Sequence, residues 1–362
     1  MKGSERTIAS PVAFVLSLLF TPYHSLLFLL LITIPNTVFT QVAGLNDLPM
    51  LKRSSVARTS AIGMRYLPLY TSDITVGLDN PSLLTRGMGG SAMLSYYNMF
   101  VGGNMGSLAY AHNFKHVGTM LFGFHFNSFG KFEEYDEYEN SIGEFYASDY
   151  ALSVGWGMWV DSNFSIGTSF KPVLSQYAEY RAVALTIDLA GSYVSDNRRF
   201  AATIMANNIG AQIVTFDNSV EKVPFELSAA VSYKLSKAPF RFFFAATELQ
   251  RWNLRYNDRL NPTTQTDPFT GEVTEEKPFV GFMDNLMRHT IFGVELNIGT
   301  ALFARVGYSY RQTAEMRGAD AFNLSGFSFG VGLHIKHFEF SYARSNYHYG
   351  QAPNYFTLSY HF

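Results

Sequence analysis

The side chains of this chain with the greatest chemical reach are its nine histidines and its clustered carboxylates, and neither group has a catalytic spacing. A zinc-activated water needs two histidines on one helical face, as in HExxH, and a nucleotide phosphate needs the glycine-rich cradle GxxxxGK. Both motifs are absent. His112, His125 and His334 fall in strand-like runs, and His116 and His337 fall at turns, so they read as lumen or interface residues. The run Glu133-Glu134-Tyr135-Asp136-Glu137 suggests cation binding, but it lacks the glycine-turned twelve-residue loop that wraps calcium. It reads instead as a solvated loop. No catalysis, metal or cofactor is expected.

Recognition chemistry is concentrated elsewhere. The segment from Arg251 to Arg288 is an interruption of roughly 38 residues, long enough to need a function of its own. It carries Trp252, Tyr256, Phe269, Phe279 and Phe282, side chains of the kind that anchor protein contacts. The same aromatics could cover the mouth of their own domain, and both readings stay open. The acids Asp258, Asp267, Glu272, Glu275 and Glu276 around them read as solvated surface.

The elements that hold this loop are strands in a membrane. Charged residues are 15% of the chain, against about 25% in soluble domains, while mean hydropathy is +0.02 and aromatics reach 16%. Outward apolar and inward polar residues average to such a value in a transmembrane barrel. The net charge of -2 offers no basic stripe for phosphates, so no nucleic acid is expected. With no cysteine, disulfides, thiol chemistry and a lipid-modified cysteine are excluded.

Beyond residue 90 the period is two. Leu302, Ala304, Val306, Tyr308 and Tyr310 share one face, opposite Arg305, Gly307 and Ser309, with Phe303 the exception. Phe327, Phe329, Val331, Leu333 and Ile335 alternate with Ser328, Gly330, Gly332 and His334, and Phe292 to Ile298 sets Glu295 on its polar face. Buried Arg305 and Glu295 would be costly in a soluble core, but a hydrated lumen accepts them. The pattern gives an all-β, antiparallel transmembrane barrel of about fourteen strands. These start near residues 91, 107, 118, 147, 163, 183, 199, 225, 239, 289, 301, 326, 337 and 355. Even-numbered connections such as Asp161-Ser162 and Gly299-Thr300 are tight. Odd-numbered ones, such as Gly130 to Ala147, Gly210 to Pro224 and Arg251 to Arg288, are long. Short periplasmic turns facing long external loops are a barrel signature.

Residues 1–40 read as a signal peptide, with Lys2 and Arg6 before an apolar stretch and cleavage between Thr40 and Gln41. Residues 41–90 form a plug or a periplasmic segment, with a short helix expected over Ser54 to Met64 capped by Ser54 or Ser55; residues 91–362 form the barrel. The final strand alternates Phe356, Leu358, Tyr360 and Phe362 against Thr357, Ser359 and His361. Its terminal Phe362 resembles the signal read by the outer-membrane assembly machinery.

Several segments resemble, in order, the PorQ family of outer-membrane barrels. These are Gln41 to Asn46, Ser55 to Gly63, Asp79 to Leu84, Gly106 to Ala111, Gly143 to Phe145, Asp149 to Leu152, Ala238 to Phe242, Asp267 to Glu272, Leu286 to His289 and Gly326 to Tyr347. Met64 stands after Gly63 where that pattern has a second glycine. The family is similar in architecture to PorV and to the FadL group of fatty-acid channels. The resemblance implies a fourteen-stranded barrel in outer-membrane lipid, serving the attachment complex of the type IX secretion system. There it would hold a surface protein resembling PorZ, with PorU and PorV as further members. The alternative is a FadL-like channel for hydrophobic small molecules. Deleting Phe362 is expected to lower the yield of heat-modifiable barrel in the outer membrane; unchanged yield would remove the assembly role.

Overall fold

The period-two pattern closes into a ring of fourteen antiparallel strands in a computed structural model. It describes residues 48–99, 103–216, 222–255, 264–266, 273–275, 278–316, 324–346 and 352–362. The barrel strands are β1 (Ser91–Met99), β2 (Gly103–Phe114), β3 (Gly118–Tyr135), β4 (Ser141–Trp159), β5 (Phe164–Tyr177), β6 (Tyr180–Val194) and β7 (Phe200–Val214). They continue as β8 (Glu226–Lys234), β9 (Phe240–Ala246), β12 (Thr290–Ile298), β13 (Leu302–Ser309), β14 (Phe327–Ile335), β15 (Phe338–Ser345) and β16 (Asn354–His361). A separate two-stranded piece pairs β10 (Thr264–Thr266) with β11 (Val273–Glu275). Pairing of β1 with β16, from Ser91 opposite His361 to Asn98 opposite Asn354, leaves the sheet without an open seam. Lipid cannot satisfy a free strand edge, so closure is the condition for spanning.

Side chains sort as the alternation requires. In β13, Val306 is 52% exposed while Arg305 is 1% exposed. In β6, Leu185, Ile187 and Leu189 face outward, while Ala182, Ala184, Thr186, Asp188 and Ser192 face in. An outward apolar surface on a closed antiparallel ring makes this an outer-membrane barrel, and the outer membrane is its location. Near the short turns the aromatics line up: Phe164, Tyr193 and Phe200 lie in a row with centroids 4.9 and 6.3 Å apart, and Phe338, Tyr360 and Phe362 follow at 4.7 and 4.8 Å. That is the aromatic girdle of a membrane interface. The Phe362 backbone N–H donates to the Gly90 carbonyl at 2.8 Å, tying the last strand to the residue before the first.

One expected loop is strand. Gly130 to Ala147 continues β3 and β4 into a hairpin that stands above the neighbouring strands and turns at Asp136–Asn140. The Asp136 carboxylate accepts from the backbone N–H groups of Tyr138 and Asn140, both at 2.8 Å, which fixes the turn. Lys131 pairs with Glu144 across the ribbon, and Phe132 stacks on Phe145 at 5.3 Å. Water bathes both faces there, so charge appears on both and the period of two is obscured in sequence. β2 and β4 accordingly begin at Gly103 and Ser141, earlier than the alternation suggests.

Residues 48–90 fill the lumen. They form 3-10 turns at Pro49–Lys52, Pro81–Leu83 and Arg86–Met88, with short helices α1 (Ala57–Ser60) and α2 (Ile74–Asp79). Val56, Ile62, Leu67, Ile74, Leu84 and Met88 are fully or almost fully buried. The helix expected over Ser54 to Met64 is only the one turn of α1, and neither serine caps it in the expected way. Its N-cap is Val56; Ser54 Oγ donates to Asp79 at 2.5 Å, and Ser55 Oγ lies 2.8 Å from Ser107 Oγ of the wall. Tertiary bonds have taken the side chains that local capping would use. Gly63 takes a positive φ of 73°, and Met64 after it is buried, so one glycine suffices for the bend.

Two glycine pairs let plug backbone reach wall backbone. Gly157 lies opposite Gly167 on β4 and β5, and Gly293 opposite Gly307 on β12 and β13, six strand positions away in the ring. A Cβ on Gly167 would fall 2.3 Å from the Pro81 carbonyl carbon, and one on Gly307 would fall 1.9 Å from the Ile62 carbonyl oxygen. Gly307→Val is therefore expected to displace the plug without opening the ring. Protease should then nick within residues 48–90, and bilayer recordings should show new conductance, while the barrel stays heat-modifiable. A plug still protected in that variant would refute the seat.

Candidate functional site

Three polar regions surround the plug: an ion cluster toward the short turns, a small buried cavity, and a vestibule toward the long connections. The ion cluster centres on Glu295 of β12. Cross-strand register sets Arg241 of β9 on one side of it and Arg305 of β13 on the other. Arg305 Nε donates to Glu295 at 2.7 Å. From the plug, Arg58 reaches Asp73 at 2.7 Å, Glu295 at 3.3 Å and Glu339 of β15 at 3.6 Å. Three guanidiniums thus face three carboxylates. Burial works against the charge of Arg58, but Glu295, Glu339 and Asp73 outweigh it and hold its pKa above the ordinary guanidinium range. Phe303, the exception in the β13 alternation, turns inward as a ring beneath both cations, 5.3 Å from Arg305 and 5.9 Å from Arg58. Glu295 and Arg305 therefore sit in a filled lumen, paired with each other and joined by Arg58 of the plug, in place of the hydrated lumen expected from sequence. Asp73 also caps α2, accepting from the Thr75 N–H at 3.0 Å.

Neutral bonds continue this grip around the ring. Thr357 Oγ1 accepts from the Ala57 N–H at 2.9 Å, Ser345 Oγ donates to the Ser60 carbonyl at 2.9 Å, and Ser82 Oγ lies 2.6 Å from Ser192 Oγ. Trp159 Nε1 donates to the Leu84 carbonyl at 3.2 Å. Each buried plug carbonyl or amide met this way avoids a desolvation cost of about 1–3 kcal/mol.

Higher in the lumen, a cavity of about 50 Å³ is lined by Arg53, Arg65, Asp79, His125, Lys171 and Asn207 among others. Burial pushes the Asp79 carboxyl up to about 6, against the hydrogen bond from Ser54. Above it a cavity of about 360 Å³ opens between the plug, the ends of β8, β9, β12 and β13, and α4 (Tyr310–Glu315). Arg65 pairs with Glu226 at 3.1 Å there, and Arg311 pairs with Glu248 at 3.3 Å and Glu315 at 2.7 Å.

The expected recognition loop is partly visible. Trp252 and Phe279 belong to one exposed apolar patch; Tyr256 and Phe269 lie outside the described residues, as do Thr40 and Gln41. The patch is built on α3 (Pro278–Arg288), where Phe279 is 72% exposed and Val280, Phe282 and Met283 are also turned to the surface. Trp252 lies 5.6 Å from the Phe282 ring and stacks on His289 at 5.4 Å. Asn285 holds the base, donating to the Trp252 carbonyl at 2.6 Å and accepting from the Leu254 N–H at 2.9 Å. His289 lies between the Thr247 and Trp252 carbonyls at 2.7 and 2.9 Å. The helical repeat of apolar residues from 278 to 288 was the sequence signal for this arrangement.

Other residues with chemical potential have structural work. His125 lines the small plug cavity, and Ser91 Oγ lies 2.8 Å from His361 Nδ1. Gly326-Phe327-Ser328-Phe329-Gly330 matches the GxSxG spacing, but it runs along β14 instead of rounding a strand-to-helix elbow, and Ser328 is buried where the plug passes at Gly63. Among the described residues no group of three or more histidines and carboxylates is placed to hold a metal.

Comparison with known proteins adds likeness of fold. The Pseudomonas putida toluene transporter TodX is similar over 86% of this chain and 99% of its own, with 11% identity and a TM-score of 0.49. A Pseudomonas aeruginosa FadL homologue is similar over 85% and 98%, with 10% identity and a TM-score of 0.45. Acinetobacter baumannii Omp33 follows over 75% and 97%, with 10% identity and a TM-score of 0.34. No family model and no curated protein matches the chain. At this distance the resemblance concerns the barrel alone.

Glu295→Gln leaves guanidiniums uncompensated in the lumen, at a cost on the order of 3–5 kcal/mol. Protease protection of residues 48–90 should fall with it; equal protection would show the cluster to be dispensable. Asp79 gives a pH dependence of definite sign. An acid whose pKa rises on folding favours the folded state while protonated, so plug retention should weaken as pH climbs from about 4 through about 6. Asp79→Asn should flatten that profile and tighten the plug at neutral pH, and a profile unchanged by the substitution would exclude Asp79 as its source.

Proposed function

We propose that this chain is a non-catalytic outer-membrane barrel that holds a soluble protein partner at the cell surface. The observation that carries this reading is the patch of Trp252, Phe279, Val280 and Phe282, an exposed apolar surface on a helix pinned by buried hydrogen bonds. Large exposed apolar patches on the aqueous side of a protein mark interaction sites. Rigid aromatic anchors suit partner binding, since little side-chain entropy is lost on docking. The plug supports the same reading, because it occupies the lumen that a diffusion pore would need. The PorQ-like residue series gives the partner a finer form, a PorZ-like protein held beside PorU and PorV in a type IX attachment complex. That attribution rests on the residue series alone.

The second reading is a channel for hydrophobic small molecules, and the names of TodX and the FadL homologue speak for it more than for an anchor. Likeness of that degree decides neither reading. One feature of the wall favours the channel. The β4–β5 ladder lapses between Ala151–Val173 and Val154–Phe170, beside the small lumen cavity that Ala151 and Lys171 line. A lateral exit would open there if the plug moved.

Purification of the tagged protein in mild detergent separates the two. Co-purification of a soluble surface protein, lost in the Trp252→Ala, Phe279→Ala double variant with the barrel still heat-modifiable, is the expected result. A barrel recovered alone with an apolar small molecule bound inside would transfer the assignment to the channel.

A further inference from the structure

The lipid-facing wall has a depression over β5, β6 and β7. Cross-strand register sets outward Gly191 between Ile166 and Ile204. One outward row further from the short turns, it sets Leu189 between Thr168 and Ala206. A Cβ added at Gly191 would meet no atom within 4 Å, so the glycine leaves open space on the surface. Thr168, Gly191 and Ala206 floor a trough of about 590 Å³, and Trp156 and Leu227 close its two ends through register with Thr168 and Ala206. The polar atoms along it are already engaged. Thr168 Oγ1 donates to the Asp188 carbonyl at 2.9 Å, and Trp156 Nε1 donates to the Val117 carbonyl at 2.7 Å. What they leave on the surface is apolar. Farther round the ring, the outward row Phe242, Val294, Val306 and Phe329 contains no small residue.

We infer that this trough holds one acyl chain of an anionic phospholipid from the leaflet at the short turns. Ile166 and Gly191 each lie one outward residue beyond the girdle aromatics Phe164 and Tyr193, which places the trough just inside the hydrocarbon. A depression left empty there forfeits dispersion contacts that a fitted chain restores. Charge selects the headgroup. Arg198 and Arg199 on the β6–β7 turn, and Lys234 and Lys237 at the β8–β9 turn, are exposed against the single acid Asp196. Arg199 lies five residues before Ile204, roughly 17 Å along the strand, which is the reach from a headgroup phosphate into the body of its chain. The same cations disfavour the rival occupant, a second copy of this barrel, because a symmetric contact would bring them against one another. The site belongs to the membrane wall and does not depend on what the external face holds.

The experiment is native mass spectrometry of the full barrel purified in mild detergent. One arm adds phosphatidylglycerol and the other phosphatidylcholine with the same chains. One retained phosphatidylglycerol per barrel is expected, held more tightly than phosphatidylcholine. Gly191→Leu fills the trough from open space and should weaken retention about tenfold, the equivalent of about two buried methylenes. Ala206→Leu fills the same trough from β7 and serves as a second variant should the first fail to assemble. The double variant Arg199→Gln, Lys234→Gln should bring phosphatidylglycerol down to the level of phosphatidylcholine. Val306→Leu, on the lipid-facing wall elsewhere, should bind as the wild type does. Heat-modifiability of each variant reports an intact barrel. Equal retention in the filled variants and the wild type, equal retention of the two lipids by the wild type, or a lipid-free dimer would each overturn the site.

Discussion

A carboxylate in a filled lumen must be answered by cations, and the Glu295 carboxylate is answered from three directions. Arg241 and Arg305 flank it through strand register, and Arg58 arrives from the plug. The wall carries Arg241 and Arg305 with Glu295 and Glu339 at this level, the plug carries Arg58 with Asp73, and Arg58 joins the two sets by reaching both wall carboxylates. One plug guanidinium thus bridges a plug carboxylate and two wall carboxylates, which helps a segment with so little regular structure to hold one position. The hydroxyl contacts around the ring and the two glycine seats are consistent with that placement, since each requires the plug at a fixed height.

Much of the barrel was legible because lipid and lumen impose opposite demands on adjacent residues. Val306 beside Arg305, or Phe329 between Ser328 and Gly330, can be sorted by period alone. The hairpin above β3 and β4 was not legible, because Lys131, Glu133, Glu134 and Glu144 meet water on both faces and erase the alternation. The plug was visible only as a segment before the first strand. Its packing depends on Pro81 and Ile62 approaching glycines more than seventy residues away, and no local pattern encodes such distances. Glu295 and Arg305 stood out as charges on a lumen face, but their partner Arg58 lies in a run that reads as an ordinary helical turn.

The recognition patch illustrates the same limit in another form. Trp252 and Phe279 are recognisable as anchors by residue type, yet their mutual placement depends on Asn285 and His289, whose hydrogen bonds to backbone carbonyls and amides have no sequence signature. Met283 and Val280 join them through the helical repeat. What converts a collection of aromatics into a surface is the buried polar base beneath it, and that base also joins α3 to the ends of β9 and β12.

The raised hairpin of β3 and β4 has two edges that continue past their neighbours: β2 is last paired at Ser128, and β5 at Ala147. A ribbon with free backbone donors and acceptors on both sides is a template on which further chains can add. Here those margins carry Glu133, Glu134 and Glu144 against the single cation Lys131, so a second copy approaching edge to edge would bring net negative charge toward net negative charge. In a membrane crowded with identical barrels, the ribbon can stand in the external medium without seeding sheet growth between neighbours.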